Sequence, residues 1–170
     1  VRIILCAGYL GEHIAQRYAG IRHPYEVVIS HEPFPMGTAG AVKHAAALIQ
    51  SDPFMVVNGD SLIEIDPNQL LEFHTAKQGW ATIALASAGT RSDVGFVTVN
   101  SHAQVTAFTE KQPGTAPQYH NAGLYVFRRD VLKEIPDHRL SSIERDVLPA
   151  LLPRGVYGFV SAAALYDIGT

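Results

Sequence analysis

The sequence predicts an α/β protein: a mainly parallel sheet with an antiparallel portion inserted late. Two observations carry this. Through the first half, continuous apolar runs alternate with helix-like stretches, the pattern of βα units. In the second half strand-like runs at 81–86, 95–99, 104–110 and 120–127 follow one another, several joined by turn residues such as Asn100-Ser101. Length and composition agree, since 170 residues at 47% hydrophobic and 17% charged suit one domain with a full core, spanning 1–170.

Taken in order, 1–7 reads as a buried strand. Residues 10–18 follow as a helix with Leu10, Ile14 and Tyr18 on one face. A second strand at 25–30 leads into a turn-rich stretch around Pro33, Pro35 and Gly37. The alanine-rich segment 38–48 then favours helix. Residues 54–58 form a short continuous apolar strand of the kind found at the centre of a parallel sheet. Asp66 and Pro67 supply an N-cap and a first helical residue for a helix to about Lys77, which Gly79 ends. Short helices at 130–135 and 142–151 precede a last strand at 156–160.

Composition narrows the function classes. Thirteen basic residues against sixteen acidic give a net charge of −3, with no bulk attraction to nucleic acid or anionic lipid. One cysteine, Cys6, excludes an intrachain disulfide or a multi-cysteine zinc site. The eight histidines are too scattered for a paired ligand motif. No apolar run approaches the ~20 residues of a membrane span, and nothing at the start resembles a signal peptide, so a cytoplasmic location is expected.

Five short motifs could carry chemistry. Asn58-Gly59-Asp60 ends the most apolar strand, where a carboxylate can hold Mg²⁺ or simply cap a turn. Gly37-Thr38-Ala39-Gly40 opens a helix, offering N–H groups to an anion or base edge, or merely close packing. Glu110-Lys111 could accept hydroxyl protons and neutralise a phosphate, or belong to a solvated surface. Asn121-Ala122-Gly123 enters an apolar strand and is otherwise a bulge. Asp167-Ile168-Gly169 puts a second carboxylate after a strand. The stretch Gly59-Asp60-Ser61-Leu62 also matches an esterase nucleophile signature, but no histidine has an aspartate three residues before it.

In sequence order these motifs, with Val94-Gly95 among them, resemble the sugar-1-phosphate nucleotidyltransferase family. The resemblance takes in Gly8-Tyr9 with Ile14 and the closing Asp-Ile-Gly-Thr, and so nearly the whole chain. The compact segment from Ser142 to Pro149 is similar to the heptose 1-phosphate guanylyltransferase branch, with mannose-1-phosphate guanylyltransferases close by. It implies a Rossmann-like three-layer α/β/α fold, GT-A-like, and transfer of a nucleotidyl group from GTP to a sugar 1-phosphate with release of pyrophosphate. It further implies Asp60 and Asp167 as ligands of Mg²⁺, Lys111 on the sugar phosphate, and Glu110 and Asn121 on sugar hydroxyls. Gly95 would present a backbone N–H, and Gly37, Thr38 and Gly59 would lie against substrate. No nucleic acid or membrane partner is implied, and a homo-oligomer is compatible with it.

The chain departs from that pattern in three places. The family's Gly-rich loop with Gly-Thr-Arg, and the Pro-Lys-Pro after it, are absent from these residues. Val94 stands where tyrosine is common, and His120 where an apolar residue is usual. Because Val1 opens inside a strand-like run, roughly 20–40 further N-terminal residues are expected, including a first strand beside 1–7, together with a C-terminal tail. Two other readings compete. A nucleotide-sugar-dependent glycosyltransferase would need an Asp-x-Asp metal motif, whose nearest approach here is Glu64-Ile65-Asp66. A non-catalytic nucleotide-sugar-binding homologue is the second.

Overall fold

The computed structural model describes residues 1–19, 21–87, 96–109 and 118–168, without the side chains of Gln118 and Asp167. In chain order the elements are β1 (Arg2–Ala7), α1 (Gly11–Tyr18), β2 (Glu26–His31), α2 (Gly37–His44), β3 (Phe54–Val57), β4 (Ser61–Ile63) and α3 (Pro67–Lys77). They continue as β5 (Ala81–Ser87), β6 (Phe96–Val99), β7 (Val105–Thr109), β8 (Gln118–Phe127), α4 (Val131–Glu134), α5 (Leu148–Leu151), β9 (Val156–Ser161) and β10 (Leu165–Asp167). The contacts divide into two units: Val1–Ser51 with Val131–Val147, and Asp52–Asp130 with Leu148–Thr170.

In the first unit β1 and β2 run parallel, from Arg2 opposite Glu26 to Ala7 opposite His31. The alanine-rich sequence after Gly37 forms α2 and then a 3₁₀ turn, Ala45–Leu48, burying Ala39, Gly40, Ala41 and Val42. The face expected of Leu10, Ile14 and Tyr18 is only partly formed. Leu10 stands before the helix at φ +57°, and Ile14 and Tyr18 remain 38% and 36% exposed. The segment 142–151 is not one helix: Ile143–Val147 is a π-helical stretch, and α5 follows.

The second unit is built on a six-stranded mixed sheet with order β7-β6-β8-β5-β9, β3 also pairing with β8. The expected parallel predominance does not hold among the described ladders. Only β1/β2 and β5/β9 are parallel, and β3, expected at the centre of a parallel sheet, runs antiparallel to β8. The cause lies in β8, ten residues long, which takes antiparallel partners on both edges. β5 occupies one edge. On the other, β6 pairs with 118–120 and β3 with 124–127, so the two leave an interval at 121–123.

Residues 81–86 are buried throughout and, apart from Thr82, apolar without alternation, as in a strand covered on both faces. One face packs Ala84, Ala86, Ala122, Leu124 and Val126 against Ile63 and Leu70, with Leu165 and Phe159 beside them. Burying a side chain as completely as Leu70 contributes about 2 kcal/mol. α3 begins as expected, Asp66 Oδ1 accepting the Asn68 N–H at 2.9 Å with Pro67 next. Its end differs: Gln78 takes the left-handed turn at φ +53°. Gly79 is required instead by close approach, since a Cβ there would lie 2.6 Å from the Tyr157 ring and 2.7 Å from the Gly155 carbonyl.

Candidate active site

In the second unit the interval on the β8 edge is filled from β3. After Val57 the chain turns through Asn58-Gly59-Asp60 and re-forms a short strand at Ser61, which pairs with β10 and which the sequence reading missed. The Asn58 N–H donates to the Gly123 carbonyl at 2.8 Å, fixing the turn against β8. Gly123 has φ +69°, and a Cβ there would meet the Asn58 side chain at 3.0 Å, so glycine serves both conformation and approach.

Asn121 holds the same bulge from within. Its Oδ1 accepts the Gly123 N–H at 3.0 Å, and its Nδ2 donates to the Tyr125 hydroxyl at 2.9 Å. The register jumps from Ile83 opposite Tyr125 to Leu85 opposite Asn121, so one residue of β5 faces three of β8. The bulge reading of Asn121-Ala122-Gly123 therefore holds, with one carboxamide N–H still able to donate.

The β4/β10 ladder brings positions 60 and 167, the two expected metal ligands, together in the chain trace. Asp167 is opposite Ser61, and the Ile168 N–H donates to the Asp60 carbonyl at 2.9 Å. Asp60 is exposed, and its Oδ1 accepts the Ser61 hydroxyl at 3.3 Å. Gly59 is exposed with open space around its Cα. The Asp167 side chain, and Gly95, Glu110 and Lys111 entirely, lie outside the described residues. Among the described residues no group of three or more His, Cys, Asp or Glu side chains could hold a metal. Glu64-Ile65-Asp66 is a helix cap, as Asp66 shows, not a metal motif.

In the first unit Gly37 and Thr38 prove to be built into the fold. The Ser141 carbonyl accepts from the Ala39 and Gly40 N–H groups at 3.0 and 3.3 Å, and the Ser141 N–H donates to the Met36 carbonyl at 2.9 Å. A Cβ on Gly37, at φ +72°, would sit 2.5 Å from the Ser141 carbonyl oxygen, and one on Gly40 would sit 2.7 Å from that of Arg139. The Thr38 hydroxyl accepts the Ile143 N–H at 2.8 Å and donates to Glu144 at 3.1 Å. Ser142 adds its hydroxyl to Glu144 at 2.8 Å and its N–H to Asp146 at 2.7 Å. The expected open N–H groups of Ala39 and Gly40 are thus taken, and close packing accounts for both glycines.

A separate cleft of about 390 Å³ in this unit is lined by Gly8, Leu10, Gly11, Glu12, His13 and His31, none of them an expected site residue. Cys6 supplies no nucleophile. Burial first, then the charge of Glu32, pushes its thiol up to about 11, so it stays protonated near neutral pH. Among the described residues no helix is long and apolar enough to cross a membrane.

The sequence marked His120 as a departure from the family pattern but gave no sign of its surroundings, and it did not mark Thr109. Among the described residues, neither ring nitrogen of the buried His120 has a partner, nor does the buried Thr109 hydroxyl. The only signal was their place as polar residues inside apolar strand runs.

Comparison with known proteins gives a consistent result. The chain is 39% identical over 142 residues to a mannose-1-phosphate guanylyltransferase of Mycobacterium tuberculosis, covering 82% of this chain and 40% of that protein. It is 29% identical over 174 residues to a D-glycero-alpha-D-manno-heptose 1-phosphate guanylyltransferase of Aneurinibacillus thermoaerophilus, covering 99% and 73%. The crystal structure of HddC from Yersinia pseudotuberculosis complexed with GMP-PN superposes with a TM-score of 0.83 at 26% identity, over 99% of this chain and 73% of that one. The chain thus spans less than half the length of the Mycobacterium relative. The model of the nucleotidyl transferase family matches residues 2–170, and the chain belongs to that family.

Proposed function

We propose that this chain carries the nucleotidyltransferase chemistry of an enzyme that joins GTP to a manno-configured hexose or heptose 1-phosphate, giving a nucleotide sugar and pyrophosphate. The observation that carries it is the β4/β10 ladder, which sets Asp167 beside the Asp60 turn at the interval on the β8 edge. Supporting it are the family match and relatives named as guanylyltransferases of mannose and heptose 1-phosphates.

In the reaction an oxygen of the sugar phosphate attacks the α-phosphorus, and the bond to pyrophosphate breaks. The nucleophile arrives already ionised, so the protein needs no covalent residue; its work is positioning and charge neutralisation. Asp60 and Asp167 would hold Mg²⁺. An exposed carboxylate turn, with no third protein ligand among the described residues, suits a hard cation that keeps waters and phosphate oxygens as its other ligands. When bound, Mg²⁺ neutralises phosphate charge. Lys111 would meet the sugar phosphate, and Glu110 and the remaining N–H of Asn121 the sugar hydroxyls. The Gly95 N–H and Gly59 complete the assignment, with Gly37 and Thr38 lying against the base by packing alone, since the Thr38 hydroxyl is spent on Ile143 and Glu144. A glycosyltransferase is disfavoured because the chain has no Asp-x-Asp and its nearest approach, Glu64-Ile65-Asp66, is consumed as a helix cap.

A matrix of nucleoside triphosphates against sugar 1-phosphates, read by pyrophosphate release from full-length protein, tests this. GTP with mannose 1-phosphate or a manno-heptose 1-phosphate should lead. Preference for dTTP, UTP or CTP would overturn the base assignment, and no release with any pair would overturn the reaction.

A further inference from the structure

The chain has four asparagines, and the fold restrains three of them. Asn68 lies within α3. The Asn100 Oδ1 accepts the His102 and Gln104 N–H groups at 2.9 and 3.0 Å. Asn121, inside β8, spends its Oδ1 on Gly123 and an Nδ2 hydrogen on Tyr125. Asn58 differs from all of them. It alone is followed by glycine, and among the described residues its carboxamide has no hydrogen-bond partner. The side chain lies beside Gly123, where a Cβ would meet its Nδ2 at 3.0 Å.

The peptide that follows is equally open. Gly59 is exposed, its N–H donates to nothing among the described residues, and a Cβ on it would have no neighbour within 4 Å. The Asn58 N–H is tied to the Gly123 carbonyl at 2.8 Å, but the Asn58 carbonyl accepts only the Ser61 N–H, at 3.5 Å. That second bond is longer than the usual range, so the Asn58–Gly59 peptide is held firmly from one side only. With no Cβ at 59, the amide nitrogen can approach the preceding side chain unhindered.

We propose that Asn58 is a site of spontaneous deamidation, which converts the turn carrying Asp60 into aspartyl and isoaspartyl forms. Hydroxide takes the Gly59 amide proton, and the nitrogen attacks Asn58 Cγ to close a cyclic imide. The Cγ–Nδ2 bond breaks, and Nδ2 leaves as ammonia with a proton from water, which restores the hydroxide. Water then opens the imide. Cleavage at Cγ leaves an aspartate at position 58 on a normal backbone. Cleavage at the α-carbonyl carries the chain through Cγ and lengthens it by one methylene. Both products add a carboxylate beside Asp60. The isoaspartyl form also displaces Asp60 from Ile168, whose N–H donates to the Asp60 carbonyl. Resting on the nucleotidyl-transfer reading, that displacement disables the turn proposed to hold Mg²⁺.

The test is a time course of full-length protein at mildly alkaline pH, digested and read by peptide mass. The peptide holding Asn58 should gain about 1 Da as the amide gives way to an acid, before those holding Asn68, Asn100 or Asn121 change. Chromatography should split it into aspartyl and isoaspartyl peptides of equal mass. Gly59→Ala, which meets open space and no left-handed φ, should slow the gain about fivefold or more, because alanine adds a Cβ and removes backbone freedom. An Asn58 peptide that keeps its mass while another asparagine peptide gains would overturn the proposal. So would a Gly59→Ala protein that gains mass at position 58 as fast as wild type. Pyrophosphate release should fall in step with the isoaspartyl fraction while circular dichroism stays unchanged. Full release by completely modified protein would overturn the metal reading of the turn, and mass alone decides the modification.

Discussion

The start of α2 and the β8 edge were both marked by the sequence as places to bind substrate, and they handle their polar groups in opposite ways. At α2 the Ala39 and Gly40 N–H groups and the Thr38 hydroxyl end on Ser141, Ile143 and Glu144. At the β8 edge the exposed Asp60 carboxylate accepts only the neighbouring Ser61 hydroxyl and the buried His120 imidazole has no partner, among the described residues. Since an unpaired buried group costs about 1–3 kcal/mol, the paired groups at α2 are accounted for by the fold itself, whereas a buried group without a partner calls for an explanation. The difference teaches that a glycine-rich helix start is weak support for a site until its donors are counted.

The strongest way to break this comparison is at Asp60. Asp60→Asn should lower turnover by about 10²–10³, the order lost when one charge-stabilising group is removed, while thermal stability stays near wild type because the carboxylate is exposed. Steady-state rates across a Mg²⁺ titration check it, and near-normal rates at saturating metal would remove Asp60 from the metal assignment.

Next in size is Gly37→Ala. The left-handed φ and the Ser141 carbonyl at 2.5 Å predict a stability loss of about 2–4 kcal/mol, measured by denaturant unfolding. Thr38→Val should cost about 1–2 kcal/mol by stranding the Ile143 N–H, and Thr38→Ser should cost little. If Thr38→Val instead left stability unchanged and raised KM for GTP, the hydroxyl would be a substrate contact and the contrast would fail.

The smallest effect concerns His74, buried under α3 with Nδ1 2.9 Å from the Thr82 hydroxyl. Burial, aided by Arg128 and opposed by Asp52, lowers its pKa below the ordinary 6.5. The unfolded chain then takes up a proton that the folded one refuses, so this contribution is intact above pH 6.5 and is lost as pH falls below it. Unfolding free energies at pH 7.5 and 5 should show that decline, and His74→Gln should flatten it.

Most of the element order was legible because periodicity and capping are local. The Asp66-Pro67 helix start and the doubly buried run of β5 are written in adjacent residues. Strand direction was not, since the antiparallel pairing of β3 with β8 depends on residues some seventy positions apart. The β4/β10 ladder escaped notice because its strands are three residues each and lie at opposite ends of the second unit. Asp60 and Asn121 were visible from strand ends, whereas the buried surroundings of His120 exist only once the register is fixed.

The most direct test of the contrast is a chemical-shift map of the full-length protein titrated with mannose 1-phosphate in the presence of Mg²⁺. The account predicts changes concentrated at Asn58–Ser61, at Asn121–Gly123 and around Ile168, with the backbone of Ser141–Asp146 little moved. Changes centred on Ser141–Asp146 and Thr38, with the β8 edge silent, would contradict it.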